Sequence, residues 1–492
     1  MAVVEQEVVA VDVSCPGKVL VAGGYAILER PNEGVVISTS ARFHTSCTWV
    51  SEGQVGGHVD GLRIHVNSPQ YKQEIDLIAT ENQQGQLVLK RTGGASNKYV
   101  EKTIGYAVAS AVGLESTPNG FAKLVKEHVG EVLQIELKAD NDFYSQQARL
   151  KERQLPYTTE SLESIQPFLP CVDESGQVAK TGLGSSAAMV TSVVTAIIKI
   201  LAPSYDCLST KGLTQIHAVA QFAHGVIQGK IGSGFDVCAA VYGSMRFVRY
   251  DPGELKQALD AAPTDEVDGL MVIPKSDLIL GVVDKFNHSV ECFQLPPRLE
   301  LMCGDVCGGS ETPSMSRKVM AWRKSAPEEE IQLWNNLIQE NKNIAKQFET
   351  INELYENNAS QYNDTLDAVV EMQNWWDDEN GQQNPVLAGL INIRAAFIKT
   401  RQYLKKIGEL AGVPIEPACQ TELCDASMNE KGVIACGVPG AGGFDAIYAI
   451  VINSKRKDVE EFWSKRDTCA LLLAESKSHP GIVIKEHYSK NH

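Results

Sequence analysis

The chain has 492 residues, a formal net charge of −16 and a hydrophobic fraction of 43%, which fits a globular protein of two or three domains. The acidic balance argues against nucleic acid as a partner, because phosphate backbones bind clustered Lys and Arg. It leaves room for a small anion held in a local basic pocket. No apolar run reaches the roughly 18 residues that a membrane span needs.

The terminal sequences and the cysteines give an expectation for the cellular compartment. The N-terminus, MAVVEQEVVAVDV, lacks the basic start of a signal peptide, and the C-terminal SKNH is not the peroxisomal tripeptide. We therefore expect a cytoplasmic protein whose 12 cysteines are free thiols. The cysteines show no C-x-x-C spacing, so their spacing predicts no zinc site.

The first half of the chain alternates strand and helix patterns. Residues 1–50 show short apolar runs between turn signals, a pattern of strands and hairpins. Helical spacing of apolar residues follows at 96–112, and residues 139–180 are polar and irregular, as expected of a surface excursion. Two further helices are predicted at 186–202 and 212–229.

The second half of the chain also shows a mixture of strand and helix patterns. Residues 237–250 are expected to begin as a helix and end as a strand, and KSDLILGVVD (275–284) and LELMCGDVCG (299–308) are predicted strands. Residues 313–373 and 386–411 show helical periodicity. The chain is therefore predicted to be α+β, with a domain boundary near the turn-rich residues 250–275.

The stretch KTGLGSSAAM, residues 180–189, sets small residues directly before an apolar helix. Such a loop can expose successive backbone N–H groups, and the helix start adds more of them with the positive end of its dipole. One interpretation is an anion cradle, in which the serine hydroxyls donate to phosphate or bind Mg²⁺. The other is a tight turn before a packed helix. The chain has no Walker motif G-x-x-x-x-G-K-[ST].

Three other stretches raise the same question. Lys18 lies in a Pro-Gly turn before an apolar strand, where the plain alternative is a solvated edge charge. Asp236 follows a Gly-Ser-Gly turn, where it can simply cap a helix. The stretch GVPGAGGFDA, residues 437–446, has more glycines than an ordinary hairpin needs.

Together these stretches resemble the GHMP kinases, the family of galactokinase, homoserine kinase, mevalonate kinase and phosphomevalonate kinase. PGKVLVAGGY resembles the first family motif, KTGLGSSAA the second and GVPGAGGFDA the third, in the family's order. The stretches NKYVEKTIGYAVA, GDVCGGSETPSM and GVPIEPACQTELCDASM are similar to the eukaryotic-type phosphomevalonate kinase branch. Gly23-Gly24-Tyr25 stands where mevalonate kinase and galactokinase have Gly-Glu-His. The resemblance covers nearly the whole chain.

The resemblance implies a GHMP kinase fold. An N-terminal, ATP-binding domain like ribosomal protein S5 domain 2 is expected over residues 1–265, and a C-terminal ferredoxin-like α+β domain over 266–492. The implied reaction is ATP-dependent phosphorylation of (R)-5-phosphomevalonate to (R)-5-diphosphomevalonate in the mevalonate pathway, with Mg²⁺ as cofactor. The expected partners are ATP and phosphomevalonate, with no nucleic acid, membrane or obligate protein partner.

The resemblance also assigns roles to residues. Lys18 and Asp236 are the implied catalytic residues, and Ser186 is the implied Mg²⁺ ligand. The implied ATP-binding residues are Asn97, Lys180, Gly182, Leu183, Gly184, Ser185, Ser186, Ala187 and Ala188. The implied acceptor-binding residues are Lys18, Tyr25, Ser233, Ser310, Thr312, Gly440, Ala441 and Gly442. His224 stands where mevalonate kinase has a glutamate Mg²⁺ ligand, which leaves the second protein ligand open.

The ionisation of the acceptor phosphate indicates which of Lys18 and Asp236 matters more for catalysis. A phosphate monoester has a second pKa near ~6, so the attacking oxygen is already ionised at neutral pH. A general base is then hardly needed, and the harder problem is bringing two anions together. We therefore expect Lys18 to matter more than Asp236, which would orient Lys18 or the metal.

Several weaker candidates and alternatives stay open. Thr312 before Pro313 fits an N-cap and first helical residue, a second anion site or plain capping. Gln420 is placed near the acceptor by resemblance alone, Tyr25 can simply pack, and Trp375 and Trp376 are expected to cover a helix face. The further candidate cations are Arg42, Lys98, Lys102, Lys230 and Arg317. The alternative functions are mevalonate kinase, mevalonate diphosphate decarboxylase, or a catalytically silent sensor of ATP or a metabolite.

Overall fold

A computed structural model describes most of the chain. The described residues are 8–51, 61–115, 119–172, 177–262, 266–267, 270–306, 312–377, 381–474 and 481–488. They combine two β-sheets with helices, and the α+β prediction is confirmed. Among these residues, no helix is both long and apolar enough to cross a membrane.

The described strands form two sheets. In chain order they are β1 (Val8–Ala22), β2 (Glu33–Ser51), β3 (Leu62–Ser68), β4 (Gln73–Glu81), β5 (Leu87–Gly94), β6 (Glu131–Ala139), β7 (Met245–Val248), β8 (Glu266–Val267), β9 (Leu270–Val272), β10 (Ser289–Cys292), β11 (Leu299–Asp305), β12 (Val433–Gly437), β13 (Ala446–Ile452), β14 (Cys469–Ala474) and β15 (Val483–Tyr488). The larger sheet runs β10-β7-β2-β6-β3-β4-β5-β9-β8, with β1 between β2 and β15. The smaller sheet runs β12-β13-β11-β14.

The helices cover the sheets and join them. In chain order they are α1 (Lys98–Glu115), α2 (Gly120–Glu127), α3 (Gln147–Glu152), α4 (Thr159–Ser164), α5 (Ser185–Leu201), α6 (Thr210–Gln228), α7 (Phe235–Tyr242), α8 (Pro252–Ala261), α9 (Ser276–Leu280), α10 (Thr312–Ser325), α11 (Glu328–Asn357), α12 (Ala359–Glu371), α13 (Pro385–Ala411), α14 (Ala418–Met428) and α15 (Arg456–Ser464).

The predicted strand at 275–284 is wrong. This stretch forms α9 and a short 3-10 turn at Val283–Lys285. Ile279 is fully buried, and α9 approaches α1 so closely that a Cβ on Gly113 would lie 2.5 Å from Cβ of Ser276. A short apolar run does not distinguish a buried strand from a buried helix, and packing against α1 decides this case.

The stretch 139–180 is less exposed than its composition predicts. It contains the short helices α3 and α4, and Leu150 and Ile165 are buried in a small cluster with Cys469 of β14. This stretch therefore packs partly against the smaller sheet instead of lying wholly on the surface.

The helix after the small-residue loop, α5, is the centre of the larger core. Nearly all of its residues are buried, as expected of a helix that is apolar on every side. It packs against β1, β2, α1, α6 and α7. Because these neighbours fix the helix, the position of its N-terminus is fixed as well.

Backbone carbonyls of β1 accept hydrogen bonds from the part of the chain that forms the smaller sheet. The Tyr448 hydroxyl on β13 donates to the carbonyl of Val21 at 2.9 Å, and the Gly440 N–H donates to the carbonyl of Leu20 at 3.3 Å. The strands β9 and β10 still belong to the larger sheet, and so does the returning β15. The change from one sheet to the other therefore lies between Cys292 and Leu299, while a domain division at residue 265 stays a prediction.

Candidate active site

The loop before α5 has the backbone that its glycines predict. Gly182 and Gly184 both have φ near +79°, a left-handed conformation that favours glycine. Gly184 is the N-cap of α5, and no side chain makes a capping hydrogen bond there. The first backbone N–H groups of a 17-residue helix are therefore left to a ligand or to water. This arrangement agrees with the anion-cradle interpretation of the loop.

The prediction that Lys18 lies in a turn before a strand is wrong, because Lys18 is a residue within β1. It is hydrogen-bonded to this loop. Its backbone N–H donates to the carbonyl of Leu183 and its Nζ donates to the carbonyl of Gly182, each at 2.9 Å. A Cβ on Gly184 would lie only 3.0 Å from the Lys18 Cε, so the glycine lets the lysine pass. Burial lowers the pKa of Lys18, and the negative charge of Asp236 opposes that shift.

Asp236 reaches the same region from α7. This helix begins after Gly234, whose φ is +80° and where a Cβ would lie 2.7 Å from the Tyr250 ring. Asp236 is in the first turn, and its Oδ1 accepts a hydrogen bond from the Val237 N–H at 3.0 Å. The aspartate is therefore more than a helix cap, because its charge also acts on Lys18, His224 and Lys230.

Ser186 lies beside His224. The Ser186 Oγ is 3.3 Å from the His224 Nε2, which also accepts from the Gln228 side-chain amide at 2.8 Å. Burial lowers the pKa of His224, although Asp236 opposes this shift. His224 is thus a buried neutral ring whose Nε2 accepts a hydrogen bond from Gln228, and a cation bound at Nε2 would have to displace that bond.

Lys18, Gly182, His224 and Asp236 line one cavity of about 630 Å³. Its lining also includes the glycine turn 439–442 and side chains of α10, among them Ser316, Arg317 and Lys324. Cationic side chains from distant parts of the chain therefore line one cavity, as a site for two anions needs.

A buried arginine shapes the floor of this cavity. The Arg249 guanidinium donates to the carbonyls of Leu28 at 2.9 Å and Gly232 at 2.6 Å. Burial lowers its pKa, and the side chain is 8% exposed. Arg249 thereby fixes the loop that carries Ser233 and leads into α7.

Comparison with known proteins gives a consistent result. Residues 169–244 match the GHMP kinases N terminal domain. The chain is 36% identical to "Phosphomevalonate kinase, peroxisomal" of Arabidopsis thaliana, over 95% of this chain and 94% of the relative. It is 31% identical to a phosphomevalonate kinase of Aspergillus fumigatus, over 92% and 90% of the two chains.

The chain belongs to the phosphomevalonate kinase family.

Solved structures show that this family member has the GHMP kinase fold. A Streptococcus pneumoniae phosphomevalonate kinase in complex with phosphomevalonate and AMPPNP aligns with a TM-score of 0.53 and 13% identity, over 97% of this chain and 99% of that one. A Listeria innocua protein aligns with a TM-score of 0.57 and 16% identity, over 97% and 100%. At such identities the likeness concerns the fold alone.

The cavity of this phosphomevalonate kinase family member brings together many of the predicted residues. Those that line it are Lys18, Tyr25, Gly182, His224, Lys230, Ser233, Asp236, Arg317, Gly440, Ala441 and Gly442. Tyr25 is buried, and its hydroxyl donates to the carbonyl of Ala441 at 2.6 Å. Tyr25 therefore packs, as its alternative predicted, and it also positions the glycine turn.

Other predicted residues lie elsewhere. Asn97 caps α1, since its Oδ1 accepts from the Val100 N–H at 3.3 Å, and its amide donates to Gln73 at 2.9 Å. Arg42 donates to the carbonyls of Ser14 and Gly481. The remaining predicted residues outside the described lining of the cavity are Lys98, Lys102, Lys180, Leu183, Gly184, Ser185, Ser186, Ala187, Ala188 and Gln420.

The predictions for Ser310, Thr312 and the tryptophan pair Trp375 and Trp376 have different outcomes. Ser310 lies outside the described residues, and α10 begins at Thr312, so Thr312 is the first helical residue instead of the N-cap. Trp375 is fully buried, and the Arg394 guanidinium stacks 3.7 Å from the Trp376 ring. This pair serves packing, as predicted.

Sequence reasoning missed Arg249, Lys324 and Asp445, which also line the cavity. Arg249 follows an ordinary strand and Lys324 lies on a polar helix, so neither carries a local signal. Only the folded chain brings them to the site. Asp445 was predictable, because it lies within the third glycine-rich stretch, GVPGAGGFDA.

Proposed function

We propose that the chain transfers the γ-phosphoryl group of ATP to the phosphate of (R)-5-phosphomevalonate, giving (R)-5-diphosphomevalonate and ADP. The observation that carries this proposal is one cavity lined by cationic side chains from several elements, among them Lys18 of β1 and Arg317 and Lys324 of α10. Such a cavity suits two anions, the triphosphate of a nucleotide and an anionic acceptor. The names of the full-length relatives support phosphomevalonate as that acceptor.

The nucleotide is assigned to the wall that carries the loop. Backbone N–H groups at the start of α5 and the helix dipole favour phosphate there. Lys18 adds a full charge held 2.9 Å from the loop carbonyl of Gly182. The acceptor is assigned to the side of Ser233, Arg317, Lys324 and the glycine turn 439–442.

The reaction then depends on positioning and on charge. Phosphoryl transfer needs an in-line arrangement and neutralisation of the equatorial oxygens of the transferred group. The acceptor phosphate is mostly dianionic at neutral pH, since its second pKa is near ~6. Lys18 therefore reduces the repulsion between donor and acceptor, and Asp236 orients Lys18 without acting as a base.

The oxygen donors near the loop fit a magnesium ion. Mg²⁺ prefers oxygen ligands and keeps several waters, and Ser186 with phosphate oxygens supplies that chemistry. His224 does not replace the glutamate of mevalonate kinase, because it offers an imidazole nitrogen where Mg²⁺ prefers oxygen, and its Nε2 accepts from Gln228. When bound, the ion would neutralise charge on the β- and γ-phosphates. Asp236, which lines the cavity, is a further oxygen donor that could support it.

One coupled assay tests the proposal. ADP release is measured with mevalonate, phosphomevalonate and diphosphomevalonate offered separately, while CO₂ is monitored. We expect ADP only with phosphomevalonate, and no CO₂. ADP with mevalonate, or ADP and CO₂ with diphosphomevalonate, would assign the chain to another GHMP activity. No ADP with any acceptor would favour the silent sensor.

The cytoplasmic location stays part of the proposal. The Arabidopsis relative is named peroxisomal, so membership of the family does not decide the compartment. Microscopy of the full chain carrying an internal fluorescent tag, compared with a peroxisomal marker, tests the location. Overlap with the marker would contradict it.

A further inference from the structure

Three side chains able to bind a metal meet beside the active site. They are His217 on α6, Cys238 on α7 and His288, the residue before β10. One ligand atom from each lies within 4.8 Å of the other two. His217 and Cys238 are fully buried, and Cys238 is a free thiol.

Two nitrogen atoms in this cluster have no partner. The Nδ1 atoms of His217 and His288 are both buried without a hydrogen bond. An unsatisfied buried polar atom costs about 1–3 kcal/mol. The rings of His217 and His288 lie 4.5 Å apart, with Tyr242 and Phe286 around them. Aromatic packing explains where the rings lie but leaves the two nitrogens unexplained.

The protonation states suit a ligand set. Burial lowers the pKa of His217 and of His288, so both rings are neutral, which is the form that binds a metal. The His217 Nε2 accepts from the Gln221 amide, so without an ion the ring proton lies on Nδ1, and binding an ion at Nδ1 would move that proton to Nε2. Burial also raises the pKa of Cys238, so the thiol is protonated while no ion is bound. Binding an ion would release that proton to solvent and leave a thiolate on the metal.

We propose that His217, Cys238 and His288 bind a zinc ion, with water as the fourth ligand. Nitrogen and sulfur ligands select Zn²⁺ over Mg²⁺ or Ca²⁺, which require oxygen. Tetrahedral ligand atoms at ~2.0–2.3 Å from zinc lie ~3.6 Å apart. The ligand atoms must therefore approach one another by about 1 Å, which small side-chain rotations achieve.

The site is joined to the catalytic helix through one side chain. Without an ion, the Gln221 amide nitrogen donates to the His217 Nε2 at 3.0 Å and to the carbonyl of Gly234 at 2.6 Å. With an ion on Nδ1 and the ring proton on Nε2, the Gln221 side chain would turn so that its oxygen accepts that proton, and its bond to Gly234 would be lost. Gly234 is the N-cap of α7, the helix that carries both Cys238 and Asp236. The zinc would therefore hold α6, α7 and the start of β10 together behind Asp236, a structural role separate from the Mg²⁺ of the reaction.

Metal content tests the proposal whether or not the chain is a kinase. The full chain, purified without a histidine tag and dialysed against zinc and then metal-free buffer, is measured by inductively coupled plasma mass spectrometry. We expect about one zinc per chain in the wild type and under about one tenth in Cys238→Ser and His288→Gln. Cys47→Ser, which changes another fully buried free thiol, is the matched control and keeps its zinc.

Cobalt substitution covers the case in which a variant fails to fold. In the wild-type chain, Co²⁺ should give the intense visible bands of a tetrahedral site and a thiolate charge-transfer band in the near ultraviolet. Wild-type protein that holds under about one tenth of a zinc after dialysis overturns the proposal. So does a cobalt complex without the thiolate band, or equal loss of zinc from Cys47→Ser and Cys238→Ser.

Discussion

Lys18 is held in place from both ends of the residue. Its N–H is bonded to Leu183, its Nζ to Gly182, and its side chain passes over Gly184. The ammonium group therefore has little freedom, and its charge is fixed beside the start of α5. A charge that is already in position costs no reorganisation during the reaction.

We therefore predict that Lys18→Met lowers kcat by about 10²–10³-fold, the usual effect of removing one preorganised donor. Asp236→Asn should cost less, because the acceptor phosphate needs no base. Steady-state kinetics with ATP and phosphomevalonate measures both. Lys256→Met, which removes an exposed lysine on α8, is the control and should change nothing. A much larger loss from Asp236→Asn would reverse the ranking.

A second residue near the loop affects stability instead of rate. Burial and the charge of Asp140 raise the pKa of Asp142 to about 6, from its ordinary 3.8. The folded chain then binds a proton at Asp142 over a range in which the unfolded chain does not. Stability is thus lost as the pH rises from about 4 to 6, and it stays lower above that range.

Asp142→Asn should remove this loss. We expect the variant to unfold with a free energy up to ~3 kcal/mol higher than the wild type at neutral pH, and with no advantage near pH 4. Urea denaturation at the two pH values measures the difference. Asp260→Asn, an exposed aspartate on α8, should give no such gain. A constant difference at both pH values would contradict this account.

Single residues were predictable where a local motif carried them. Lys18, Asp236 and several glycines of the three motifs line the cavity, and each motif adjoins or belongs to a buried element. Arg249 and Lys324 were not predictable, because their positions depend on how distant elements pack. The meeting of His217, Cys238 and His288 was not predictable for the same reason, since they are far apart along the chain.

At the scale of elements, the start of α5 depends on Gly184. Its left-handed backbone ends the loop, and its missing side chain admits Lys18. The same backbone conformation occurs at Gly412, the C-cap of α13, where an added Cβ would meet nothing within 4 Å. Substituting each of the two glycines therefore distinguishes the effect of backbone strain from the effect of a side chain that contacts the site.

Gly184→Ala and Gly412→Ala should each destabilise the chain by ~1–2 kcal/mol, since alanine is strained in the left-handed conformation. Only Gly184→Ala should also raise the KM for ATP, by about tenfold, or ~1.4 kcal/mol. Thermal unfolding and steady-state kinetics measure the two effects. An equal change in KM from both variants would show that strain alone, and not the loop, is responsible.

The elements themselves were predictable when their periodicity was long. The predicted helices at 186–202 and 386–411 correspond to α5 and α13 within one residue at each end. The strand prediction at 275–284 was wrong because five apolar residues fit a strand and a helix equally well. Its packing against α1 was not readable from the sequence, and neither was the pairing of β15 with β1.

At the scale of the whole molecule, the cavity exists because β1 belongs to the larger sheet and also contacts the smaller one. The hydroxyl groups of Tyr25 and Tyr448 each bridge the two parts, to Ala441 and Val21 respectively. Burial raises the pKa of both tyrosines, so both hydroxyls stay protonated and keep donating. The two bonds differ in that only Tyr25 borders the cavity.

Tyr25→Phe and Tyr448→Phe should therefore have separable effects. Each removes one buried hydrogen bond and leaves a carbonyl without its donor, so each should lower the free energy of unfolding by ~1–3 kcal/mol. Tyr25→Phe should in addition raise the KM for phosphomevalonate, because the turn that carries Ala441 lines the acceptor side of the cavity. Tyr448→Phe should leave that KM unchanged, although it weakens the same junction between the sheets. If both variants raised the KM alike, general loosening of the junction would be the cause, and the turn at residues 439–442 would have no special part in holding the acceptor.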